Sequence, residues 1–241
     1  AAARRHVPCV MELGGKSANI IFADADMDRA VPGALASVFG ANGEACLAGS
    51  RILLEESIAE EFLECFKARA VAMRIGNPSD PTSEIGPMIS ARHQGNVLGF
   101  FESAGTDGDT ILFGGAMPSS DAGYYVRPGA IQVRSTNSRI WREEVFGPIA
   151  AVRTFTSEDD AIALANDSEF GLAGYVWTRD LDRAIRVTRK IRTGTIVVNS
   201  NFMREQNAPF GGFKGSGLGR EGGVHSWLNF TEAKTTVIYH G

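Results

Sequence analysis

The chain has 241 residues, of which 44% are hydrophobic and 22% charged, and its formal net charge is -4. This balance is typical of a globular protein with one large domain, or one domain and part of another. Lysine and arginine are dispersed and no stretch approaches the ~18 apolar residues of a membrane span, so the sequence favours neither a nucleic-acid partner nor a membrane anchor.

The cysteines and histidines point away from structural cross-links. Cys9, Cys46 and Cys65 form neither a disulfide framework nor a Cys-x-x-Cys pair, and the four histidines lack the spacing of metal ligands. We therefore expect no metal site and a reducing, cytoplasmic location, since the first residues also lack a signal peptide's apolar core. The chain starts with three alanines and no Met, as a piece of a longer polypeptide would.

Apolar runs that predict strands alternate with amphipathic helical patterns. Strands are expected at 17–22, 51–54, 110–113, 131–133, 150–155, 175–178 and, as a buried strand, 195–199. Helices are expected from Asp24 or Asp26 to about Phe39, from Ser57 onward, and over 91–103, 157–166 and 181–191. Cys65, in the second of these helices, is expected to pack as a small apolar residue. Such alternation predicts an α/β domain with a largely parallel sheet.

Two further segments lie near the end of the chain. Residues 207–223 hold seven glycines and predict a long, tightly turned connection. Within it, 217–222 matches G-x-G-x-x-G, but no strand precedes it and the acid expected ~20 residues later is missing, so we reject it as a dinucleotide fingerprint. The tail, 231–239, is rich in Thr and Val and predicts a strand that would pair with another subunit.

Cys46 is the first candidate for chemistry. It lies in Asn-Gly-Glu-Ala-Cys-Leu-Ala-Gly-Ser, residues 42–50, where small side chains let the backbone turn sharply and approach a ligand. A cysteine in such a loop is more accessible than one in a helix core, and its thiolate is a strong nucleophile if its pKa is lowered. The alternative is a buried structural cysteine.

Glu12 is the second candidate, in Met-Glu-Leu-Gly-Gly-Lys-Ser, residues 11–17. It stands between an apolar run and a Gly-Gly turn. Partial burial at such a position would raise the pKa of a carboxyl towards neutrality, as a general base needs. The alternative is an exposed glutamate at a strand end.

A third candidate stretch is Glu-Glu-Val-Phe-Gly-Pro, residues 143–148. A carboxylate in such a turn can accept hydrogen bonds from both hydroxyls of a ribose, and the aromatic side chain can pack against a ring. The alternative is a charged turn anchored by its phenylalanine.

These stretches, and their order along the chain, resemble the signature motifs of the aldehyde dehydrogenase superfamily. Residues 11–17 resemble its glutamate signature and the stretch around Cys46, after 33 intervening residues, its cysteine signature. Glu-Glu-Val-Phe-Gly-Pro, Pro-Phe-Gly-Gly-Phe-Lys-Gly-Ser-Gly-Leu-Gly-Arg-Glu and Phe-Thr-Glu-Ala-Lys-Thr follow in family order, so the resemblance covers essentially the whole chain. The departures are Glu44, where Gln is usual, and positions near His93 and Asn96, which often carry a Gln and a Lys.

The resemblance implies the chemistry of an NAD(P)-dependent aldehyde dehydrogenase acting on a small-molecule aldehyde. Cys46 would attack the carbonyl, its backbone N–H would help hold the oxyanion, and hydride transfer to the nicotinamide would leave a thioester. Glu12 would then activate water as the general base, and Glu232 would belong to a proton relay behind it.

The same resemblance assigns the cofactor contacts. Glu144 would hold the nicotinamide ribose and Phe146 would pack beside the nicotinamide. The backbone of Leu13 and Gly14 would lie near the same end of the cofactor. The choice between NAD and NADP stays open, because the residues that make it lie largely outside this chain.

The family's organisation predicts four segments. Residues 1–11 would end the cofactor-binding domain, 12–214 would form the catalytic domain, 215–230 a Gly-rich return segment and 231–241 an oligomerisation strand. Family chains are much longer, so most of the N-terminal NAD-binding domain would be absent. The absent part would include an Asn of the oxyanion hole and a Lys that contacts the adenosine ribose. If 241 residues are the whole molecule, we expect cofactor binding to be badly impaired.

The loop at 202–212, with 219–226, resembles the branch that acts on hydroxymuconic, aminomuconic and related semialdehydes. Those substrates carry a carboxylate, and a guanidinium suits bidentate carboxylate binding. Arg204 is therefore the expected substrate partner. The alternative is a loop arginine in a surface ion pair.

Two rival interpretations stay open. A chain without its cofactor half could act only as an esterase or thioesterase through Cys46, although no histidine stretch looks like the base that a cysteine hydrolase normally needs. It could also be an assembly module that works through its terminal strand. The aldehyde and the number of subunits are not fixed by the sequence.

Overall fold

The computed structural model describes residues 2–117, 123–201 and 205–241. Its strands are β1 (Met11–Glu12), β2 (Ala18–Ile21), β3 (Arg51–Glu55), β4 (Thr110–Ala116), β5 (Val126–Gln132), β6 (Ile149–Phe155), β7 (Ala173–Trp177), β8 (Thr195–Val198) and β9 (Gly217–Leu218). Its helices are α1 (Met27–Phe39), α2 (Ala59–Ala72), α3 (Ala91–Asp107), α4 (Arg139–Arg142), α5 (Glu158–Asn166), α6 (Leu181–Lys190) and α7 (Gly223–Phe230).

Seven of the eight strands predicted from the sequence form one sheet in the order β4-β5-β6-β3-β2-β7-β8. All neighbours are parallel except β4 and β5. The prediction of an α/β fold with a largely parallel sheet is therefore confirmed. The five predicted helices also form, and Ser157 caps α5 by accepting a hydrogen bond from the backbone of Asp160.

Helices cover both faces of the sheet because the central strands are apolar on both sides. Ile21 and Ile52 face the layer that contains α1 and α2, whereas Ile20 and Leu53 face the layer that contains α3, α5 and α6. These side chains are fully buried. The central strands are thus packed on both faces, and the loops that enter them start from this core.

Two local predictions are wrong. Cys65 is exposed, because the buried stripe of α2 runs through Phe62, Phe66 and Ala70 and Cys65 lies one residue to its side. Residues 195–198 form β8 as predicted, but at the edge of the sheet. Among the described residues this strand pairs only with β7, and it stays partly exposed.

Residues 231–241, at the end of the chain, form no strand in this single-chain structure. Residues 231–241 are exposed throughout and have no regular secondary structure. Large apolar side chains of α7 and the tail are also exposed, among them Trp227, Phe230 and Tyr239. Pairing of this tail with another subunit stays a prediction. Within 2–117, 123–201 and 205–241, no helix is long and apolar enough to cross a membrane.

Candidate active site

The candidate residues meet at the amino-terminal edge of the parallel sheet. Residues 12–17 lead into β2, Cys46 precedes β3, and Glu144 and Phe146 precede β6. The parallel register pairs Ala18 with Arg51 and Arg51 with Ala151, so these three entry loops lie side by side. Open α/β sheets more often bind ligands at the carboxyl edge, so the sheet topology alone would have indicated the wrong end.

Glu12 is held by the glycine-rich segment. Its strand β1 pairs antiparallel with β9, with Glu12 opposite Gly217 and Met11 opposite Leu218. A side chain at Gly217, whose φ is +153°, would overlap the Met11 carbonyl. The G-x-G-x-x-G stretch therefore packs against the strand of the predicted base, which agrees with its rejection as a dinucleotide fingerprint.

The loop that carries Cys46 begins with three consecutive left-handed residues. Ala41, Asn42 and Gly43 have φ values of 50°, 61° and 69°, a conformation that costs a non-glycine residue roughly 1–2 kcal/mol. The Asn42 side chain stabilises the turn by accepting from the Gly86 N–H at 2.8 Å and donating to the Pro87 carbonyl at 3.4 Å. The sharp turn expected from small residues is confirmed, and Asn42 is an anchor that the sequence interpretation missed.

Cys46 is half-buried beside two carboxylates. Burial raises the pKa of its thiol, and the charges of Glu144 and then Glu12 raise it further. The backbone N–H groups of Cys46 and Leu47 act in the opposite direction by hydrogen bonding to the sulfur. Without a ligand, the thiol is therefore held mostly protonated near neutral pH, next to the two acids that the sequence singled out.

Glu144 packs directly against the Gly-Gly turn. Its Oε1 accepts from the Gly15 N–H at 2.9 Å, and a side chain at Gly14 would overlap its carboxylate. A side chain at Gly15 would in turn overlap the Cys46 carbonyl. The two glycines are needed because the nucleophile loop and the carboxylate approach the same short stretch of backbone.

The surroundings of Glu144 fit a nicotinamide ribose. The Gly15 bond occupies one carboxylate oxygen and leaves the other to accept from a hydroxyl. Phe146 and Leu13 are apolar yet 40% and 50% exposed, so both offer surface to a ring. Phe146 also has a left-handed backbone, with φ of 53°, and such strain in a non-glycine residue is frequent at ligand sites.

A cavity of about 440 Å³ adjoins the nucleophile loop at Leu47. It is lined by apolar residues such as Leu47, Ile196 and Phe210, with Tyr175 and Glu205 among its polar walls. The Tyr175 hydroxyl donates to the Leu47 carbonyl at 2.9 Å, and burial raises the pKa of Tyr175 to about 12. Arg204, the predicted substrate partner, lies outside the described residues.

Two further charged residues have contrasting surroundings. Glu232 is exposed, and within the described part of the chain no hydrogen bond or ion pair of its side chain is found, so no contact supports the relay predicted for it. Lys16, which was not singled out, is fully buried, and no described group accepts a hydrogen bond from its Nζ. Burial lowers the pKa of Lys16 to about 7, with a further lowering from the charge of Arg51.

Comparison with known proteins gives a consistent result. Residues 1–236 match the model of the Aldehyde dehydrogenase family. The chain is 40% identical over 242 residues to 2-hydroxymuconic semialdehyde dehydrogenase of Pseudomonas sp. (strain CF600), covering 99% of this chain and 50% of that protein. It is 42% identical over 239 residues to a betaine aldehyde dehydrogenase of Rhizobium leguminosarum bv. trifolii (strain WSM2304), covering 98% and 49%.

The fold comparison agrees. A crystal structure of betaine aldehyde dehydrogenase from Staphylococcus aureus in complex with NAD+ superimposes with a TM-score of 0.92 at 40% identity, covering 95% of this chain and 46% of that one. The chain spans about half the length of the curated relatives it matches. Identity to the two relatives is nearly equal and does not separate their named substrates.

Proposed function

The chain belongs to the aldehyde dehydrogenase family, and on that premise we propose that the protein containing it oxidises an aldehyde to the carboxylic acid with NAD or NADP. The observation that carries the proposal is the meeting of Cys46, Glu12 and Glu144 at one edge of the sheet, close enough that both carboxylates act on the thiol. A thiol between two acids suits covalent catalysis followed by hydrolysis.

The residues would divide the reaction as follows. The Cys46 thiol first loses its proton to solvent, and the sulfur then attacks the aldehyde carbon to form a thiohemiacetal, whose oxyanion accepts a hydrogen bond from the Cys46 N–H. A nicotinamide held beside Phe146 and Leu13 would supply a hydride acceptor, and loss of hydride from the thiohemiacetal carbon would leave a thioester on Cys46. Glu12 then takes a proton from a water molecule as the water attacks the thioester carbon. Departure of the acid restores the thiol.

Cofactor binding at this end of the site would depend on four residues. Glu144 would accept from the ribose hydroxyls, and Phe146 and Leu13 would pack by the nicotinamide. Gly14 would keep the backbone flat against them. Glu232 stays a proposed member of the proton relay. In the segments proposed above, residues 1–11 would end the cofactor domain and 12–214 would form the catalytic domain.

We place the aldehyde's tail in the cavity beside Leu47, because this space adjoins the nucleophile. Glu205, the residue after Arg204 in the sequence, lines the cavity. Arg204 would pair with a substrate carboxylate, so a semialdehyde acid is the favoured substrate class. Arg204→Ala should raise KM for acidic aldehydes and leave neutral ones unchanged. Equal effects on both would refute the assignment.

We also propose how the protein assembles and where it is located. The exposed apolar side chains of α7 and the 231–241 tail favour burial in a homo-oligomer through the terminal strand, after the Gly-rich return at 215–230. A free catalytic thiol favours a reducing, cytoplasmic setting.

The test is aldehyde-dependent reduction of NAD+ or NADP+ by the purified protein. We expect Cys46→Ser to abolish it and Glu12→Gln to slow turnover after the first hydride transfer. Gln keeps the size of the side chain but cannot take a proton from water. Hydrolysis of an ester without any reduction of nucleotide would favour the esterase alternative, and intact reduction in Cys46→Ser would exclude Cys46 as the nucleophile.

A further inference from the structure

His93 lies between the two turns that build the site. Its Nε2 is 2.7 Å from the Phe146 carbonyl oxygen and 3.5 Å from Oε1 of Glu44. A carbonyl oxygen can only accept a hydrogen bond, so Nε2 carries the proton and donates it. The Glu44 carboxylate lies against the same nitrogen, so His93 contacts both the turn before β6 and the loop that carries Cys46 two residues after Glu44.

The surrounding packing makes this contact rigid. The side chains of His93 and Glu44 are each only 19% exposed, and the His93 ring meets the Phe146 ring edge-on at 6.3 Å. The Ser90 side chain caps α3 by accepting from the His93 N–H. The Ile89 N–H lies 3.4 Å from the same Glu44 oxygen, so the start of α3 binds both turns.

The two turns also touch each other. A side chain at Gly43 would overlap the Gly147 carbonyl, and one at Gly147 would overlap Val97 of α3. The left-handed backbone of Phe146 persists only if its surroundings over-determine it. A hydrogen bond to the carbonyl of that same residue is the contact best placed to do so.

We propose that His93 is a positioning residue. It holds the Phe146 carbonyl and, through Glu44, couples the turn that faces the nicotinamide to the loop that carries Cys46. The contacts alone support the coupling of the two turns. That Phe146 faces a nicotinamide rests on the proposed function. His93 does not touch the reacting atoms in this role.

Two substitutions at His93 separate the hydrogen bond from the ring packing. His93→Phe keeps an aromatic ring against Phe146 but has no donor. His93→Gln loses the ring but offers an amide N–H with similar reach. Arg92→Gln, an exposed change one residue away on α3, is the matched control.

The probe is iodoacetamide labelling of Cys46, followed by peptide mass spectrometry, with and without nicotinamide mononucleotide. Without nucleotide, we expect His93→Phe to change the labelling rate of Cys46 about fivefold, the effect of one lost hydrogen bond, and His93→Gln and Arg92→Gln to stay near the wild-type rate. With nucleotide, half-protection in His93→Phe should need about fivefold more of it, and His93→Gln should restore protection.

A wild-type labelling rate in His93→Phe would overturn the proposal, and so would a His93→Gln variant that behaves like His93→Phe. If the nucleotide fails to protect even the wild-type protein, the proposed function is in question, while the nucleotide-free rates still decide the role of His93. If circular dichroism shows that His93→Phe is unfolded, Glu44→Leu breaks the contact from the other side. It should change the nucleotide-free rate similarly, and an unchanged rate would then overturn the proposal.

Discussion

Replacing Glu144 with Gln tests how the carboxylates of the site control the thiol. Burial raises the pKa of Cys46 and the charge of Glu144 raises it further, whereas a Gln side chain can still accept from the Gly15 N–H. A nearby unit charge acting on the thiol is worth on the order of 2 kcal/mol at an effective dielectric constant of about 20. Halving this for partial exposure leaves about 1 kcal/mol. We therefore expect about fivefold more thiolate near neutral pH, and alkylation faster by the same factor.

The assay is the pH dependence of iodoacetamide labelling at Cys46, read by peptide mass spectrometry because Cys9 and Cys65 are exposed and also react. Lowering the pKa of Cys46 should shift the rising limb of the profile to lower pH. Glu12→Gln should shift it in the same direction but less, since its charge has the smaller effect. Glu143→Gln is the charge-matched control and should leave the profile in place. An unchanged or slower reaction in Glu144→Gln would refute the reasoning.

Three further predictions each concern one residue near the site. Tyr175→Phe loses the bond to the Leu47 carbonyl and should lower the free energy of unfolding by about 1 kcal/mol; an unchanged urea midpoint would contradict this. Because the pKa of Lys16 is lowered to about 7, the wild-type protein should gain stability as pH rises from about 7 to about 10, since the unfolded chain binds the extra proton. Lys16→Met should be more stable near neutral pH, by roughly 2 kcal/mol or more, and should lose most of this dependence; a destabilised variant would show that the ammonium has a partner. Gly14→Ala places a methyl group against the Glu144 carboxylate and should abolish protection of Cys46 by nicotinamide mononucleotide while the far-ultraviolet circular dichroism stays unchanged; full protection would count against the close approach.

Much of the fold was predictable because each central strand is a continuous apolar run and each long helix has one apolar stripe. The elements that were missed lack such a signal. Strands β1 and β9 are two residues long, and β1 exists only because the glycine-rich segment returns beside Glu12. The half-exposure of β8 depends on its place at the sheet edge, which periodicity within the strand does not encode.

The candidate site was only partly predictable for a related reason. Cys46, Glu12 and Glu144 stand in recognisable stretches, and the structure brings them together. The contacts that hold them are long-range: Tyr175 binds a carbonyl 128 positions away, and His93 binds one 53 positions away. Neither residue lies in a motif, so only the folded chain shows what it contacts. The closeness of Glu44 to His93 and Ile89 likewise becomes visible only in the folded chain.

The most direct test of the central claim is the mass of the Cys46 peptide after a single turnover. The purified protein would be mixed with a semialdehyde acid and NAD+, quenched in acid and digested. We predict an added acyl group on Cys46 that is absent without NAD+, absent in Cys46→Ser, and longer-lived in Glu12→Gln because hydrolysis is slowed. Product acid formed with no acyl group on Cys46 in Glu12→Gln, or acid still formed by Cys46→Ser, would contradict the account.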